Sequence, residues 1–559
     1  MSRIRLPDFV HEVIDDPRQR GILIAGSLAL FAVGLVPRVL SPGLPDAQEA
    51  LRREAEVQNL LLLLAFLSAA VVIVGGLVSD LFRRRELLLG GLAVMFVGAV
   101  LSVLVDDGLI FYAANFAAVA ASGVVLAYGI GSVAIAYQGI PRATALGAVY
   151  GAYGAGTALA PAVLTIILVR VPGSDPSEPA GFAFETWLAY LLSAITAAIA
   201  LWAARRWVPR LPGNLPAPRP IIIALALWAT SILAIVSGVL SLGAPGRGIV
   251  PVVLVVLGAL GLSTALIRFR RMRELMAGLR FDQRGMAAAL SIGIVVGFAQ
   301  TVPLILLPVL FEYALGYGTF FALLAIAPFA IALFVGGPVS GILLQRFGPR
   351  GVMAFGTGVL GLANIALAAT FVFIGDEPSY LAFILPLVFI GAGFVFSTTV
   401  RTAIVFASTP RGLPASAAAI NEASVGLGSR IGVVVATTLV ATRALESARS
   451  ITAGVPDAQT LVDDFRNALE SLGTPRFREV LQAALDGAEP IKGQAYASAY
   501  IDGVEVALFV SGVIGILGAV LAWFLVGKRD PLHTVFDMQD ERDVEPHAEA
   551  ETGPAQESA

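Results

Sequence analysis

The chain has 559 residues, of which 57% are hydrophobic and 14% are charged, whereas soluble domains have about 45–50% apolar and about 25% charged residues. Because a single hydrophobic core stops growing near about 250–300 residues, this excess excludes a soluble globular enzyme and indicates an integral membrane protein. The absence of cysteine excludes disulfides and thiolate metal sites. The formal net charge of −3 is unevenly distributed, because an acidic segment begins near Gly527.

Fourteen apolar stretches are each long enough to cross a bilayer, whose hydrocarbon core of about 30 Å needs roughly 20 helical residues. In chain order they lie near residues 21–40, 58–81, 87–105, 109–138, 143–169, 183–204, 220–242, 249–267, 286–311, 319–344, 351–374, 380–400, 414–442 and 503–526. They are too long for the strands of a membrane β-barrel. The sequence therefore predicts an all-α membrane protein with fourteen transmembrane helices.

The basic residues check these spans independently, because short cytoplasmic loops collect Lys and Arg. With both termini in the cytoplasm, twenty-five basic residues fall in cytoplasmic segments and four fall in short outer loops. The first twenty residues are polar and contain no apolar core of signal-peptide length. We therefore expect a multi-pass protein of the cell membrane with both termini cytoplasmic.

The spans and loops divide the chain into five predicted segments. They are a cytoplasmic N-terminal segment (1–20), a six-helix bundle (21–204), two inserted helices with basic flanking loops (205–285), a second six-helix bundle (286–526) and an acidic, disordered cytoplasmic tail (527–559). Within the second bundle, residues 443–502 form a polar outer loop. This loop contains two stretches with helical periodicity, separated by Gly-Thr-Pro, which predict a pair of short amphipathic helices.

Two loops carry related sequences. The loop after the second span has Gly-Gly-Leu-Val-Ser-Asp-Leu-Phe-Arg-Arg-Arg at 75–85, and the loop after the tenth has Gly-Ile-Leu-Leu-Gln-Arg-Phe-Gly-Pro-Arg at 341–350. Repetition of a loop across two halves is typical of duplicated transporters. An acid at a helix end beside arginines can form a latch that opens when neighbouring helices move. The alternative is an ordinary positive-inside loop.

When Gly341 is placed on Gly76, Arg350 falls on Arg85. We assign the candidate conformational latch to residues of both copies: Gly76, Asp80, Arg84, Arg85, Gly341, Gln345, Arg346, Gly348 and Arg350. The first copy keeps the acid, at Asp80, and the second keeps the inner glycine, at Gly348.

These loops resemble the signature G-x-L-a-D-r-x-G-r-k of the major facilitator superfamily. The fifth span is similar to the family's antiporter signature, G-x8-G-x3-G-P-x2-G-G, at Gly147, Gly156, Ala160 and Pro161. The segments 308–317 and 409–432 resemble the branch of fourteen-span drug:proton antiporters. The resemblance implies the major facilitator fold, with two six-helix bundles plus two inserted helices, and alternating access around a site near the midplane. It also implies proton-linked efflux of the kind that underlies multidrug resistance.

The sequence departs from this branch at two positions linked with proton coupling. The first span lacks the usual aspartate, and the fourth span lacks the usual arginine. The coupling residues must therefore be sought elsewhere among the intramembrane charges. These are few, because each costs about 2.5–3.5 kcal/mol on insertion scales and normally faces a cavity or a partner.

Glu422 lies about eight residues into the thirteenth span, and Arg430 follows it two turns later. We predict that Glu422 binds the coupling proton with Arg430 as modulator or counter-charge, and that Glu312 is the next candidate. The alternative is a Glu–Arg network that fixes helix packing and never titrates. Other polar residues in spans could line a pathway or only pack: Asn115, Tyr128, Tyr150, Tyr153, Gln300 and Asn364.

Several classes of site are not expected. The Gly-rich stretches lack the phosphate-binding pattern G-x4-G-K-[ST], so a nucleotide is not an expected partner. Nucleic acid is not expected either, because the membrane topology already explains the arginines of the loops. The histidines, His11, His533 and His547, all lie in terminal segments, so no metal site and no cofactor are expected. The expected partners are a small-molecule substrate, protons and the lipid bilayer.

The leading functional hypothesis is proton-linked export of a hydrophobic or cationic small molecule. One alternative is a proton symporter that imports a metabolite. Another is a transport-inactive membrane scaffold that acts through the loop 443–502. None of these is an enzyme.

Overall fold

The computed structural model describes residues 16–51, 84–104, 108–137, 139–168, 179–209, 219–241, 249–271, 283–315, 324–374, 379–408, 414–451 and 490–527, together with Ala70, Val74 and Asp463. Within these residues all regular secondary structure is helical, as expected from the sequence. The α-helices are α1 (Pro17–Leu51), α2 (Arg84–Leu104), α3 (Gly108–Ala136), α4 (Gly139–Leu168), α5 (Pro179–Trp207), α6 (Arg219–Ser241), α7 (Val250–Arg271), α8 (Gln283–Val309), α9 (Ala327–Ile374), α10 (Leu381–Ser408), α11 (Pro414–Ile451) and α12 (Pro490–Leu525). A π-helical turn, Leu310–Ala314, follows α8 directly.

Helix α9 consists of two helices joined at Gly348, where φ is 68° and ψ is 170°. Side chains other than glycine rarely adopt this backbone conformation, and Pro349 follows it. A Cβ at Gly348 would meet no atom within 4 Å. The conformation of the backbone, and not a lack of space, is therefore what requires glycine at this kink.

Ten helical segments of the described residues are long and apolar enough to cross a membrane, and α6 adds a shorter apolar stretch, Ala226–Val239. The predicted span 58–81 lies outside the described residues apart from Ala70 and Val74. Large apolar side chains such as Trp202, Leu257 and Phe373 are more than half exposed on the outside of the helices, which suits contact with lipid. The chain is thus a multi-pass helical membrane protein, and the number fourteen stays a prediction.

The described helices form two bundles and one further pair. In the first bundle, α1 packs on α3, α4 and α5, and α2 packs on α3 and α5. In the second bundle, α8 packs on α10, α11 and α12, and α9 packs on α10 and α12. Helices α6 and α7 pack on each other, and α6 also touches α11. The bundles meet where α4 packs on α9 and α10, and where α3 packs on α11.

Several helices extend beyond the predicted spans, among them α1, which continues to Leu51 instead of residue 40. Helix α10 continues to Ser408 instead of residue 400, α11 continues to Ile451 instead of 442, and α12 begins at Pro490 instead of 503. Both ends of the predicted loop 443–502 are therefore helical, because hydropathy detects only the apolar part of a helix that continues past it, and the outer position of this loop stays a prediction. The two predicted amphipathic helices lie outside the described residues apart from Asp463.

Many of the described arginines lie at one end of the bundles, which we call the basic end. Helix α4 begins there, and Thr144 in its second turn packs against Gly341 near the end of the first part of α9. At the same end, Nη2 of Arg85 donates a hydrogen bond to the carbonyl oxygen of Arg205 at 2.6 Å. We expect this end to be cytoplasmic, because basic residues collect on that side of a membrane.

Candidate functional site

A cluster of polar side chains lies where the two bundles meet. It consists of Tyr150 from α4, Arg401 and Thr402 from α10, and Asn421, Glu422 and Ser424 from α11. We call it the inter-bundle cluster. Tyr150, Arg401 and Glu422 lie respectively eleven, seven and eight residues from the helix ends at the basic end. At about 1.5 Å per residue, the cluster lies about 10–17 Å along these helices, which is a third to a half of a hydrocarbon layer of about 30 Å.

Tyr150 is the residue through which the first bundle enters the cluster. Its hydroxyl donates a hydrogen bond to Oε1 of Glu422 at 2.6 Å and accepts one from Nδ2 of Asn421 at 3.2 Å. The same hydroxyl lies 3.1 Å from Oγ1 of Thr402. All three partners belong to the second bundle, so one phenol hydroxyl joins α4 to both α10 and α11.

Glu422 is the acidic member of the cluster. Its Oε1 accepts hydrogen bonds from Tyr150 and from Nδ2 of Asn421, the latter at 3.1 Å, and lies 3.8 Å from Nη2 of Arg401. Three donors therefore face one oxygen of this carboxylate. The Glu422 side chain is 17% exposed, whereas that of Arg401 is 0% exposed, and Tyr150 and Asn421 are also buried. The cluster is therefore open to its surroundings at the carboxylate.

Arg401 is held by its Nη1 atom. This nitrogen donates to the carbonyl oxygen of Asn421 at 2.7 Å and to Oγ of Ser424 at 3.0 Å. Helix α8 leaves room for the group at Gly293, where a Cβ would lie 2.8 Å from Nη1 of Arg401 and closer still to Oγ of Ser424. Three helices of the second bundle thus fix the position of one buried guanidinium.

The counter-charge predicted for Glu422 needs correction. Nη1 of Arg430 donates to Oγ of Ser237 in α6 at 2.9 Å, and the ion-pair partner of Glu422 is Arg401. Eight residues separate Glu422 from Arg430, which is about 12 Å along a helix, while a neighbouring helix brings Arg401 much closer. Arg430 instead connects the second bundle to the α6–α7 pair.

The sequence does not identify Arg401 as a site residue, because the apolar stretch of the twelfth span ends at Val400 and the arginine falls in a predicted cytoplasmic loop. A signal for it was present in the sequence. Thr398, Arg401 and Thr402 recur at spacings of three and four residues, which places polar side chains on one face of a continuing helix.

Asn364, predicted to line a pathway or only to pack, is fully buried. Its Nδ2 donates to the carbonyl oxygen of Ala299 at 3.1 Å, and Oγ of Ser511 lies 3.3 Å from the same oxygen. Pro303 in α8 has no N–H to offer this carbonyl four residues earlier. Asn364 and Ser511 therefore satisfy an acceptor that a helix-internal proline leaves without its usual donor.

The remaining predicted residues are placed as follows. Among the pathway candidates, Tyr150 lies in the inter-bundle cluster, Tyr128 is buried, Tyr153 and Gln300 are partly buried, and the side chain of Asn115 lies outside the described residues. The side chain of Glu312, the next coupling candidate, also lies outside them.

The arginines of the two loop copies occupy corresponding places. Arg85 contacts the carbonyl of Arg205 in the last turn of α5, the last helix of the first bundle. Arg350 lies over the ring of Trp523, 4.1 Å from its centroid, near the end of α12, the last helix of the second bundle. This correspondence supports the internal repeat.

The other candidate latch residues are only partly described. Gly348 forms the kink of α9, Gly341 packs on Thr144, and Arg346 is exposed. Gly76, Asp80 and the side chains of Arg84 and Gln345 lie outside the described residues. A pairing of Asp80 with an arginine stays a prediction.

The glycines of the antiporter-type motif bring α4 close to two helices. A Cβ at Gly147 would collide with the carbonyl oxygen of Gly337 in α9, and a Cβ at Gly156 would collide with that of Phe31 in α1. Nine residues are two and a half turns, so the two glycines lie on opposite faces. Helix α4 thus packs on its own bundle with one face and on the other bundle with the opposite face. The side chains of Ala160 and Pro161 lie outside the described residues.

Two helical bundles that meet at a buried polar cluster are the arrangement expected of a membrane transporter. Residues 24–433 match the family model of the Major Facilitator Superfamily, and the chain belongs to this family.

Solved structures share the fold. The proton:xylose symporter XylE from E. coli, bound to 6-bromo-6-deoxy-D-glucose, has a TM-score of 0.56 at 15% identity, over 92% of this chain and 98% of that one. The human organic anion transporter MFSD10 has a TM-score of 0.54 at 13% identity, over 91% of this chain and 100% of that one. An auto-inhibited peptide transporter of the POT family has a TM-score of 0.54 at 15% identity, over 92% and 98%. At these identities the likeness concerns the architecture alone.

Proposed function

We propose that this chain is a proton-coupled exporter of the fourteen-span drug:proton antiporter branch. It moves a hydrophobic or cationic small molecule across the plasma membrane by alternating access, with both termini in the cytoplasm. The observation that carries this proposal is the partly exposed carboxylate of Glu422 in a cluster that is otherwise buried and that joins the two bundles.

Charge favours exchange of a proton for a cation. With Glu422 ionised, its charge balances that of Arg401, and a cation can bind beside the exposed carboxylate. With Glu422 protonated, the cluster carries one positive charge and repels a cation at short range. Proton and cation thus exclude each other from the same group, which is the condition for antiport.

An anionic substrate fits this site less well. It would have to reach Arg401, whose side chain is 0% exposed, past Glu422, which is 17% exposed and repels it. A lipophilic cation meets the carboxylate first.

Alternating access requires the bundles to separate at the basic end. Opening there must part Gly147 from Gly337, which are in backbone contact, and must withdraw Tyr150 from Glu422. In the described residues the two bundles are in contact at this end, and we call this arrangement closed. The side chain that changes its charge state is thus also the one that Tyr150 connects to the first bundle.

The test uses purified protein in liposomes that contain a pH indicator and carry an imposed proton gradient. A panel of lipophilic cations, neutral drugs and metabolites is added to wild type, to Glu422→Gln and to Glu446→Gln. Glu446 is the matched control, because it lies on the same helix but is 55% exposed and pairs with Arg443.

We expect substrate to collapse the gradient in wild type and in Glu446→Gln but not in Glu422→Gln, which keeps a hydrogen-bonding amide but cannot titrate. Proton movement in the same direction as substrate would instead identify a symporter. A wild type that transports nothing in the panel, but binds partners through the loop 443–502, would favour the scaffold.

A further inference from the structure

One edge of the Arg401 guanidinium is unused. Within the described residues, Nε and Nη2 have no hydrogen-bond partner, although the side chain is fully buried. Nη1 alone makes bonds, to Asn421 and Ser424. The Nε–Nη2 edge of an arginine presents two parallel N–H groups that match the two oxygens of a carboxylate. We call this edge the Arg401 fork.

A carboxylate lies just out of reach of the Arg401 fork. Oε1 of Glu422 is 3.8 Å from Nη2, whereas a charge-assisted hydrogen bond of this type is about 2.7–2.9 Å long. The same oxygen is 2.6 Å from the hydroxyl of Tyr150. In the described conformation the carboxylate is therefore hydrogen-bonded to the first bundle. Its distance to Arg401 is about 1 Å longer than a charge-assisted hydrogen bond.

We propose that the Arg401 fork is the second docking position of Glu422. The carboxylate is bonded to Tyr150 while the bundles are closed at the basic end, and it closes onto the Arg401 fork when α4 moves away. Arg401 is thus a positioning residue that stabilises the open state. The inference rests on the proposed function insofar as it takes the bundles to rock about this cluster.

Two observations support this exchange of partners. Arg401 and Glu422 both belong to the second bundle, on α10 and α11, so they stay within reach of each other when that bundle moves as a body. A buried arginine with unmet donors is also unfavourable. Opening removes one hydrogen bond from Glu422, and docking on the Arg401 fork supplies two charge-assisted ones.

The experiment measures the open and closed populations directly. Because the chain has no cysteine, spin labels can be attached at Arg206→Cys on α5 and Phe347→Cys on α9, both exposed at the basic end. Electron–electron distance measurements in lipid nanodiscs then separate a short, closed distance from a long, open one.

The baseline variant is Tyr150→Phe, which keeps the ring but lacks the hydroxyl. We expect it to raise the ratio of long to short distances about tenfold, which corresponds to about 1.4 kcal/mol. Arg401→Lys added to this baseline keeps the positive charge but removes the fork, and it should lower the ratio about tenfold again. Arg443→Lys, at an exposed arginine of α11, is the matched control and should leave the ratio unchanged.

The proposal is overturned if Arg401→Lys lowers the melting temperature but not the ratio, because Arg401 then serves only packing. It is equally overturned if Tyr150→Phe does not open the basic end. Should Arg401→Lys fail to fold, Glu422→Gln added to the Tyr150→Phe baseline addresses the same question, because its neutral amide has only one acceptor oxygen and cannot make two charge-assisted bonds to the Arg401 fork. It should lower the ratio.

A transport measurement tests the proposed function independently of these distances. A Glu422→Gln protein that still couples substrate to protons would refute Glu422 as the coupling group, whatever the distance distributions show. Conversely, an unchanged ratio in Arg401→Lys would refute the docking position while leaving proton coupling at Glu422 intact.

Discussion

The hydroxyl of Tyr150 lies 2.6 Å from Oε1 of Glu422, and this hydrogen bond joins residues that are 272 positions apart and belong to different bundles. A hydrogen bond to a charged group contributes about 1.5–3 kcal/mol, and this one exists only while the bundles are together. We therefore expect the contact between the bundles at the basic end to depend on the charge of this carboxylate.

This dependence can be measured as a coupling energy. Tyr150→Phe should lower the free energy of unfolding by about 1.5–3 kcal/mol in wild type, but by about 1 kcal/mol less in a Glu422→Gln background, where the acceptor is neutral. The measurement is denaturant unfolding in detergent micelles. Tyr380→Phe is the control, since that hydroxyl donates to the carbonyl of Ala325 at 3.1 Å and should cost the same in both backgrounds. An equal cost of Tyr150→Phe in both backgrounds would show that the bond is not sensitive to charge.

The position of Glu422 in a membrane span could be predicted from the sequence, because a carboxyl in an apolar stretch is conspicuous. Its partner could not. Arg401 lies on a different helix, and its contact with Glu422 depends on how α10 and α11 are packed, with Gly293 of α8 leaving the space. Hydropathy also ends the twelfth span one residue before Arg401, which places this buried charge in a predicted loop.

The kink of α9 gives a prediction about the backbone alone. Gly348→Ala should lower the free energy of unfolding by about 1–3 kcal/mol, because alanine is strained at φ 68°. Gly426→Ala is the matched control, since Gly426 lies in α11 and a Cβ there also meets nothing within 4 Å. In a regular helix this change should stabilise by about 0.5–1 kcal/mol. If both variants shift the melting temperature in the same direction, the kink does not depend on glycine.

The spacing of the glycines in α4 shows what a motif can and cannot specify. Nine residues place Gly147 and Gly156 on opposite faces of any α-helix, and this much follows from the sequence. That one face meets α9 and the other meets α1 follows only from the tertiary fold. The same limit applies to Asn364. The sequence shows an amide in an apolar stretch, but its acceptor is the carbonyl of Ala299 on another helix, which Pro303 leaves without its usual donor.

The fourteen-span topology can be tested with single cysteines in this cysteine-free chain. Cysteines at Ser471 and Asp376 should react with an impermeant maleimide added to intact cells, because both positions lie in predicted outer loops. Cysteines at Arg84 and Asp282 should react only after permeabilisation. External labelling at Asp282 would contradict the model of fourteen spans with cytoplasmic termini.

The candidate latch predicts an asymmetry between the two loop copies. Asp80→Asn should reduce transport more than Gln345→Ala, because only the first copy has an acid that can pair with an arginine. Surface ion pairs contribute about 0–1 kcal/mol, so expression and melting temperature should stay near wild type. Transport at the wild-type rate in Asp80→Asn, at equal protein levels, would exclude a latch at this loop.

The last prediction distinguishes Arg401 from Arg430 as the partner of Glu422. Glu422→Gln leaves Arg401 buried without its counter-charge, and Arg401→Gln leaves Glu422 without its partner. Each should lower the free energy of unfolding by about 3 kcal/mol, as expected when one member of a buried pair is removed. The double variant should recover most of this loss, because it buries no unpaired charge, yet it should remain uncoupled, because no carboxyl is left to titrate. Combining Glu422→Gln with Arg430→Gln should bring no recovery, since Arg430 donates to Ser237. Recovery with Arg430→Gln but not with Arg401→Gln would return the counter-charge to the residue that the sequence alone suggested.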